Sequence, residues 1–466
     1  MIKERFFPAL QDVEIEGEKI PPPEEIPWYP NGLAFCYKAN KNAVRKDPRC
    51  KEFQQFLVSE TDVGNISRQE AVSMIPPLFL NVQPGMRVLD MCAAPGSKTA
   101  QIIEAVHDKE NGLNTGTAFP ADFQKISTTK RMWVEGLVIA NDADNKRCYL
   151  LVHQTKRLAS PDVIITNHDG TAFPNLYFWK NAEKTRRGRL WFDRILCDVP
   201  CTGDGTGRKN PLAVRKWTPK NAMGLHPLQC LIAQRALQML AVGGRMVYST
   251  CSMCPLENEA VVAELMCRFP GALKIVDVSK EYPALDRRPG LTSWQCLFNG
   301  KLISDRSLIK DPKKQSFLPP RDVAGMTEMG IEHCMRVYPH MQDTGGFFIA
   351  VLEKTGEIKH PVLSWQATPA SQPTEEVNAE EMVEKVETEG DVPKEAEEEK
   401  KEKSVCPKRG TYVYKEEPFV LLDPKSTELS ELRYFLFSVL GVVRISENGW
   451  IARTMASIQM SRSTIS

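Results

Sequence analysis

The stretch PGMRVLDMCAAPGSKTAQIIEAV, residues 84–106, decides the fold. Its residues 87–91 form a short apolar run through Asp90, 91–96 is a turn of small side chains, and from Ser97 apolar residues recur at helical spacing. That is strand, turn and helix in order. Five more apolar runs, at 137–141, 163–167, 189–197, 245–249 and 347–352, alternate with helical patterns. Such βαβ alternation predicts an α/β fold, a mostly parallel sheet with helices on both faces.

In a doubly wound sheet a ligand lies beyond the strand ends, which puts the 91–96 turn beside it. The plain alternative is an ordinary strand-to-helix turn. Two nucleotide loops are excluded. GxxxxGK[ST] fails because Ser97 separates Gly96 from Lys98 and Met91 stands where the first glycine belongs, and GxGxxG is absent. A loop of Ala93, Ala94, Pro95 and Gly96 admits close backbone approach without a phosphate nest, which suits the ribose and methionine parts of S-adenosylmethionine. The next two strands end in VIANDAD and ITNHDG, where Asp142 is placed to accept from ribose hydroxyls and Asp169 from an adenine amino group. Either aspartate alone could be a loop cap. Three strand ends in succession that carry a carboxylate are harder to explain that way.

The chain has 466 residues, room for one large α/β domain with appendages. Nowhere do about 18 apolar residues run together, and the first ten residues have no apolar core behind their charges, so neither a membrane span nor a secretory signal is expected. Its 13 cysteines are odd in number and scattered through apolar stretches, which argues for a reducing compartment over a disulfide framework. The formal charge of +1 conceals an acidic tract at 371–403, with 13 acidic and 5 basic residues, so the remainder carries +9. A basic body is compatible with a polyanionic partner. Residues 5–58, rich in proline and charge, read as an irregular lead-in or part of a small domain, and the Glu/Lys/Pro/Ser-rich stretch after about 356 as a disordered linker.

Two more strand ends carry thiols: FDRILCDVPCTGDGT (192–206) reaches Asp198 and Cys201, and GGRMVYSTCSMCPLENEAVV (243–262) reaches Cys251. Cytosine C5 is a poor nucleophile, and adding a soft thiolate at C6 turns C5 into an enamine carbon able to attack a sulfonium methyl. Two readings compete with that one. A single strand-end cysteine is often a small buried hydrophobe. Cys197, Cys201, Cys251 and Cys254 also have the spacing of a four-cysteine zinc site, although Cys197 sits inside the apolar run ILC and need not face Cys201. The expectation is no metal.

Across residues 28–352 the chain resembles the NSUN family of RNA cytosine-5 methyltransferases, most closely its eukaryotic tRNA branch. The resemblance runs through QFLVSETDVGNISRQEAVSMIPPL (55–78), DMCAAPGSKT (90–99), IANDADNKRCYLLVHQ (139–154), ILCDVPCTGDGT (195–206), MVYSTCS (246–252) and PHMQDTGGFFIAVL (339–352). It implies a Rossmann-like core with a mostly parallel seven-stranded sheet, S-adenosylmethionine as cofactor, and RNA, chiefly tRNA, as partner of a monomer. By the same resemblance the cofactor loop is Cys92, Ala93, Ala94, Pro95, Gly96, Ser97 and Lys98, the ribose acid is Asp142, the adenine-side acid Asp169, and Asp198 lies close to both cofactor and base. Cys251 matches the nucleophile and Cys201 the cysteine that assists product release, with Lys98 expected to lower the Cys251 thiol pKa. DNA cytosine methyltransferases attack with the equivalent of Cys201 instead, so the presence of both thiols favours the RNA branch. Nuclear and nucleolar residence, with some in the cytoplasm, is also implied.

The chain then divides into a lead-in with part of an RNA-binding region (1–58), a catalytic domain (59–355), an acidic linker (356–410) and a divergent, shortened tail (411–466). The polar insertion at 111–135 has no assigned role. Cations at Lys180, Lys184, Arg186, Arg187 and Arg189 and at Arg208, Lys209, Arg215 and Lys216, with Trp217 beside the latter, are candidates for holding phosphates and stacking on an unpaired base. The first group reads equally well as a solvated loop. Amino-directed base methyltransferases resemble one another in an NPPY-like tetrapeptide where this chain has Asp-Val-Pro-Cys, and a shortened, non-catalytic RNA-binding isoform would have no need of two strand-end thiols. A C5 target inside a helix is out of reach of a thiol, so the base has to be unstacked or flipped.

Overall fold

The computed structural model describes residues 2–15, 18–38, 46–107, 136–179, 187–298 and 300–358. The 111–135 insertion, the linker beyond 358, the tail, and Lys180, Lys184 and Arg186 lie outside the described residues.

Five strands run parallel in the order β3-β2-β1-β4-β5: β1 Arg87–Asp90, β2 Leu137–Asn141, β3 Val163–Thr166, β4 Phe192–Asp198 and β5 Leu240–Thr250. Their alternation explains the two covered faces. Leu89, Ile139, Ile195 and Met246 enter one core, with Cys230, Ala233, Ala236 and Leu237 of the helix Pro219–Met239. Val88, Val138, Leu196 and Val247 enter the other, with Leu78 and Phe79 of the helix Ile75–Leu80 and Ile102 and Val106 of the helix Ser97–His107. Side chains of successive strand residues point to opposite faces, so a run apolar at every position must be covered on both.

The Rossmann-like expectation holds. Among the described residues the sheet has nine strands where seven were expected. Beyond β5, the antiparallel β9 (Phe347–Lys354) pairs along its outer edge with two short strands, β6 (Leu273–Ile275) at one end and β8 (Met335–Val337) at the other. One sheet position is thus shared by two segments, and the two-residue β7 (Arg288–Pro289) adds a rim against β8. Likewise the run expected at 189–197 is divided, with Arg187–Arg189 in a hairpin with Tyr177–Trp179 and β4 starting at Phe192.

The lead-in is ordered where described. Phe6, Leu10, Val13, Ile20, Cys50 and Phe53 form a small core of their own. The helix Pro48–Asp62 crosses the boundary expected at 58/59; Asp47 caps it, accepting from Arg49 N at 2.7 Å, and proline occupies its first turn. Among the described residues no helix is long and apolar enough to cross a membrane.

Candidate active site

Parallel pairing brings the carboxyl ends of the strands to one rim: Asp90 is level with Ala140 and Leu196, and Asp198 with Ser249. The β1 strand lies between β2 and β4, whose connections go opposite ways, so the crevice opens over the end of β1. There the loop Met91–Gly96 is fastened from below. Ala93 N donates to Asn141 O at 2.7 Å and Ala94 N to Asp142 Oδ2 at 3.1 Å, while Asn141 Nδ2 donates to Met91 O and His168 O. Gly96 ends the loop at φ +108°, and a Cβ there would lie 2.9 Å from Leu151 Cδ1. Only glycine satisfies both conditions.

Beside the loop, Lys98 Nζ lies 2.7 Å from Asp198 Oδ2, and Asp198 Oδ1 accepts from Ser249 Oγ at 2.7 Å. Burial works against the Lys98 ammonium, but Asp198, Asp90 and Cys251 outweigh it and hold its pKa above the usual lysine value. Asp90 is almost wholly buried, and burial together with the Asp198 charge pushes its carboxyl up to about 7.

The two thiols meet. Cys201 Sγ and Cys251 Sγ are 3.3 Å apart, a hydrogen-bond distance and far longer than a disulfide. The bond to Cys251, with burial second, raises the Cys201 pKa well above the ordinary thiol value. Their loops are clamped by Glu257, which is fully buried. Its carboxylate accepts from Thr202 N (2.9 Å), the Thr202 hydroxyl, Ser252 Oγ (2.6 Å) and Gln229 Nε2 (3.0 Å), tying the residue after each cysteine to one group. Asp204 adds a second tie by accepting from Met253 N. Gly205 packs so closely that a Cβ would lie 2.5 Å from Gly346 O and 2.6 Å from Cys251 O. Lys98, Asp198, Asp90 and Cys251 line one cavity of about 580 Å³ together with Cys92–Pro95 and Ser97 of the loop and with Arg68, Gln69 and Glu70.

The chain is similar to several known proteins. Residues 123–282 match the family model "16S rRNA methyltransferase RsmB/F". A multisite-specific tRNA:(cytosine-C(5))-methyltransferase of Schizosaccharomyces pombe is 45% identical over 92% of this chain and 61% of its own length, and one of Saccharomyces cerevisiae is 42% identical over 92% and 57%. A solved methyltransferase homologue from Pyrococcus horikoshii is 26% identical, with a TM-score of 0.41, over 69% of this chain and 74% of its own. Over residues 123–282 the chain is thus similar to the RsmB/F methyltransferases, and over most of its length to these tRNA cytosine-C(5)-methyltransferases. The chain spans about three fifths of the length of these two curated relatives.

In this methyltransferase fold the residues singled out in the sequence divide into two sets. Cys92, Ala93, Ala94, Pro95, Ser97, Lys98, Asp198 and Cys251 line the cavity, with Cys201 in contact with Cys251. Asp142 and Asp169 do not line it. Asp142 is buried beneath the loop, bonded to Ala94 N and Asp144 N with Arg147 at 3.4 Å, and Asp169 is exposed, capping the turn Gly170–Ala172 through Thr171 N at 2.8 Å. Lys98, expected to act on the Cys251 thiol, is paired with Asp198.

Among the cations, Lys209 lines the cavity. Arg208 is tied to Asp343 and to Pro339 O, and Arg189 stacks on Trp191 at 3.9 Å and donates to Gln238 O, so both hold the protein to itself. Arg215 and Lys216 are exposed, and Trp217 is partly buried with its Nε1 donating to Thr202 Oγ1. Among the described residues no group of three or more His, Cys, Asp or Glu side chains is placed to hold a metal ion. Cys197 and Cys254, the other members of the zinc spacing, are buried in the apolar core. Sequence reasoning missed Glu257 and Asn141, and counted Asp90 among the strand-end carboxylates without giving it a role. The polar run Glu257-Asn258-Glu259 inside the otherwise apolar CPLENEAVV was the available signal for the first.

Proposed function

We propose that this chain transfers a methyl group from S-adenosylmethionine to C5 of cytosine in RNA, with tRNA as the substrate class. The observation that carries the reading is the contact of Cys201 and Cys251 at 3.3 Å beside the Lys98–Asp198 pair. The cavity suits a cationic cofactor: on the sheet side two carboxyls, Asp90 and Asp198, share one ammonium, Lys98, and a second positive charge would relieve the strained Asp90. Residues 92–98 would hold that cofactor, with Asp142 acting through the loop it anchors. When bound, S-adenosylmethionine supplies the electrophilic methyl.

The chain's own residues do the rest. The Cys251 thiolate adds to C6, making C5 nucleophilic; after methylation the C5 proton leaves, its electron pair restores the C5–C6 double bond, and the sulfur departs as thiolate. Cys201, within hydrogen-bond reach of that sulfur, serves the proton transfers of elimination. Asp198, fixed by Lys98 and Ser249, would hold the base, and Lys209, Arg215 and Lys216 would meet phosphates. Residence in the nucleus and nucleolus belongs to the same proposal and rests on the family resemblance.

A denaturing gel with labelled tRNA tests it. Cys251→Ala gives neither product nor covalent adduct, whereas Cys201→Ala transfers the methyl group and leaves RNA attached. Crosslinking by Cys251→Ala but not by Cys201→Ala would reverse the two roles.

A further inference from the structure

The stretch RKNPLAVRKW (208–217) places two apolar side chains in solvent between cations: Leu212 and Val214, on the short helix Pro211–Arg215, are 55% and 54% exposed. Exposed apolar side chains amid positive charge suit an occupant with flat apolar faces and a polyanionic backbone. This helix borders a second cavity of about 400 Å³, lined by Leu212, Ala213 and Trp217, with amides from Asn210 and Asn221 and the cation Lys216. It adjoins the catalytic cavity, because Asn210 lines both. Thr202, which follows Cys201, also lines it.

We propose that this second cavity is the subsite for a nucleobase flanking the target cytosine in single-stranded RNA, and that its occupancy acts on the cysteine loops through Trp217. The inference rests on the methyltransferase reading above. Leu212, Ala213 and Trp217 offer the apolar contact on which a base packs, the two asparagines offer hydrogen bonds to its edge, and Lys209 and Lys216 stand by the two cavities to meet the phosphates on either side. Trp217 Nε1 donates to Thr202 Oγ1 at 3.2 Å, and that hydroxyl in turn donates to Glu257, the group that also holds Ser252 beside Cys251. A base pressed against Trp217 therefore bears on the residue following Cys201. Trp217 is a positioning residue in this scheme.

The test uses the full chain and single-stranded oligoribonucleotides that carry the target cytosine, with an abasic nucleotide at each neighbouring position in turn. One flanking position should cost about tenfold or more in Kd when abasic, the scale of one base–aromatic stack. Leu212→Asp, a surface change, should show that loss on intact RNA and no further loss on the abasic RNA. Trp217→Phe, which keeps an aromatic face but loses the bond to Thr202, should leave Kd within about twofold and slow adduct formation about tenfold. Equal weakening of intact and abasic RNA by Leu212→Asp, or the absence of any sensitive flanking position, would overturn the subsite. An unchanged adduct rate in Trp217→Phe would overturn the coupling. RNA that forms no Cys251 adduct at all would instead sink the methyltransferase reading, which keeps the two failures distinguishable.

Discussion

At the scale of single residues, the site is built from groups that each do more than one thing. Glu257 accepts four hydrogen bonds, two of them from the residue after Cys201 and one from the residue after Cys251. Bonds to a charged acceptor contribute about 1.5–3 kcal/mol each, so neutralising it should loosen the sulfur pair without emptying the cofactor site. Glu257→Gln is expected to slow methyl transfer about ten- to a hundredfold while leaving S-adenosylmethionine affinity within about threefold, as read by single-turnover kinetics and calorimetry. Asp142 is a different case. Because its carboxylate holds Ala94 N, Asp142→Ala should weaken calorimetric cofactor affinity by about 1–3 kcal/mol through the loop. An unchanged affinity would remove it from any role at the site.

At the scale of elements, the decisive feature is how strand ends turn into loops. The turn after β1 reverses within six residues because Gly96 takes φ +108° against Leu151 of the helix Asn145–Lys156. Gly96→Ala puts a Cβ on a left-handed backbone, so it should cost about 1–2 kcal/mol of unfolding free energy, read from urea titrations. Cofactor binding, measured on the still-folded fraction, should fall with it. The turn itself was legible in the sequence because small residues between an apolar run and a helical period have few other meanings. Which way the neighbouring acids face was not: Asp142 and Asp169 stand at the strand ends where the pattern put them, and backbone amides engage their side chains.

At the scale of the molecule, the long helix Pro219–Met239 links the cysteine loops to the rest of the fold. His226 on that helix is buried, with Nδ1 2.6 Å from Leu256 O and Nε2 2.9 Å from Ser316 Oγ, and burial lowers its pKa to about 4. An unfolded histidine titrates near 6.5. As pH falls below that value the unfolded chain takes up a proton that the native one refuses, so stability is lost progressively between about pH 6.5 and 4, by roughly 3 kcal/mol in all. Urea midpoints across this range should show the slope, and His226→Phe should flatten it while lowering stability at pH 7. A slope that is the same in the variant would assign the acid sensitivity to other groups.

The sequence by itself determined the parallel strands, the cofactor turn and the two thiol-bearing strand ends, because these rest on local periodicity and on small or soft side chains at fixed places. The order of the lead-in escaped that reading: Phe6 and Val13 are far in sequence from Cys50 and Phe53, and the four form a core only when the helix Pro48–Asp62, which carries the latter two, packs against the first segment. Only the tertiary structure decided that Cys201 touches Cys251, that Glu257 clamps both loops, that Lys98 pairs with Asp198, and that β6 and β8 share one edge of β9. Each of those contacts joins residues on separate elements. Their distance is set by packing two covered faces onto one sheet, and a one-dimensional pattern has no measure of it.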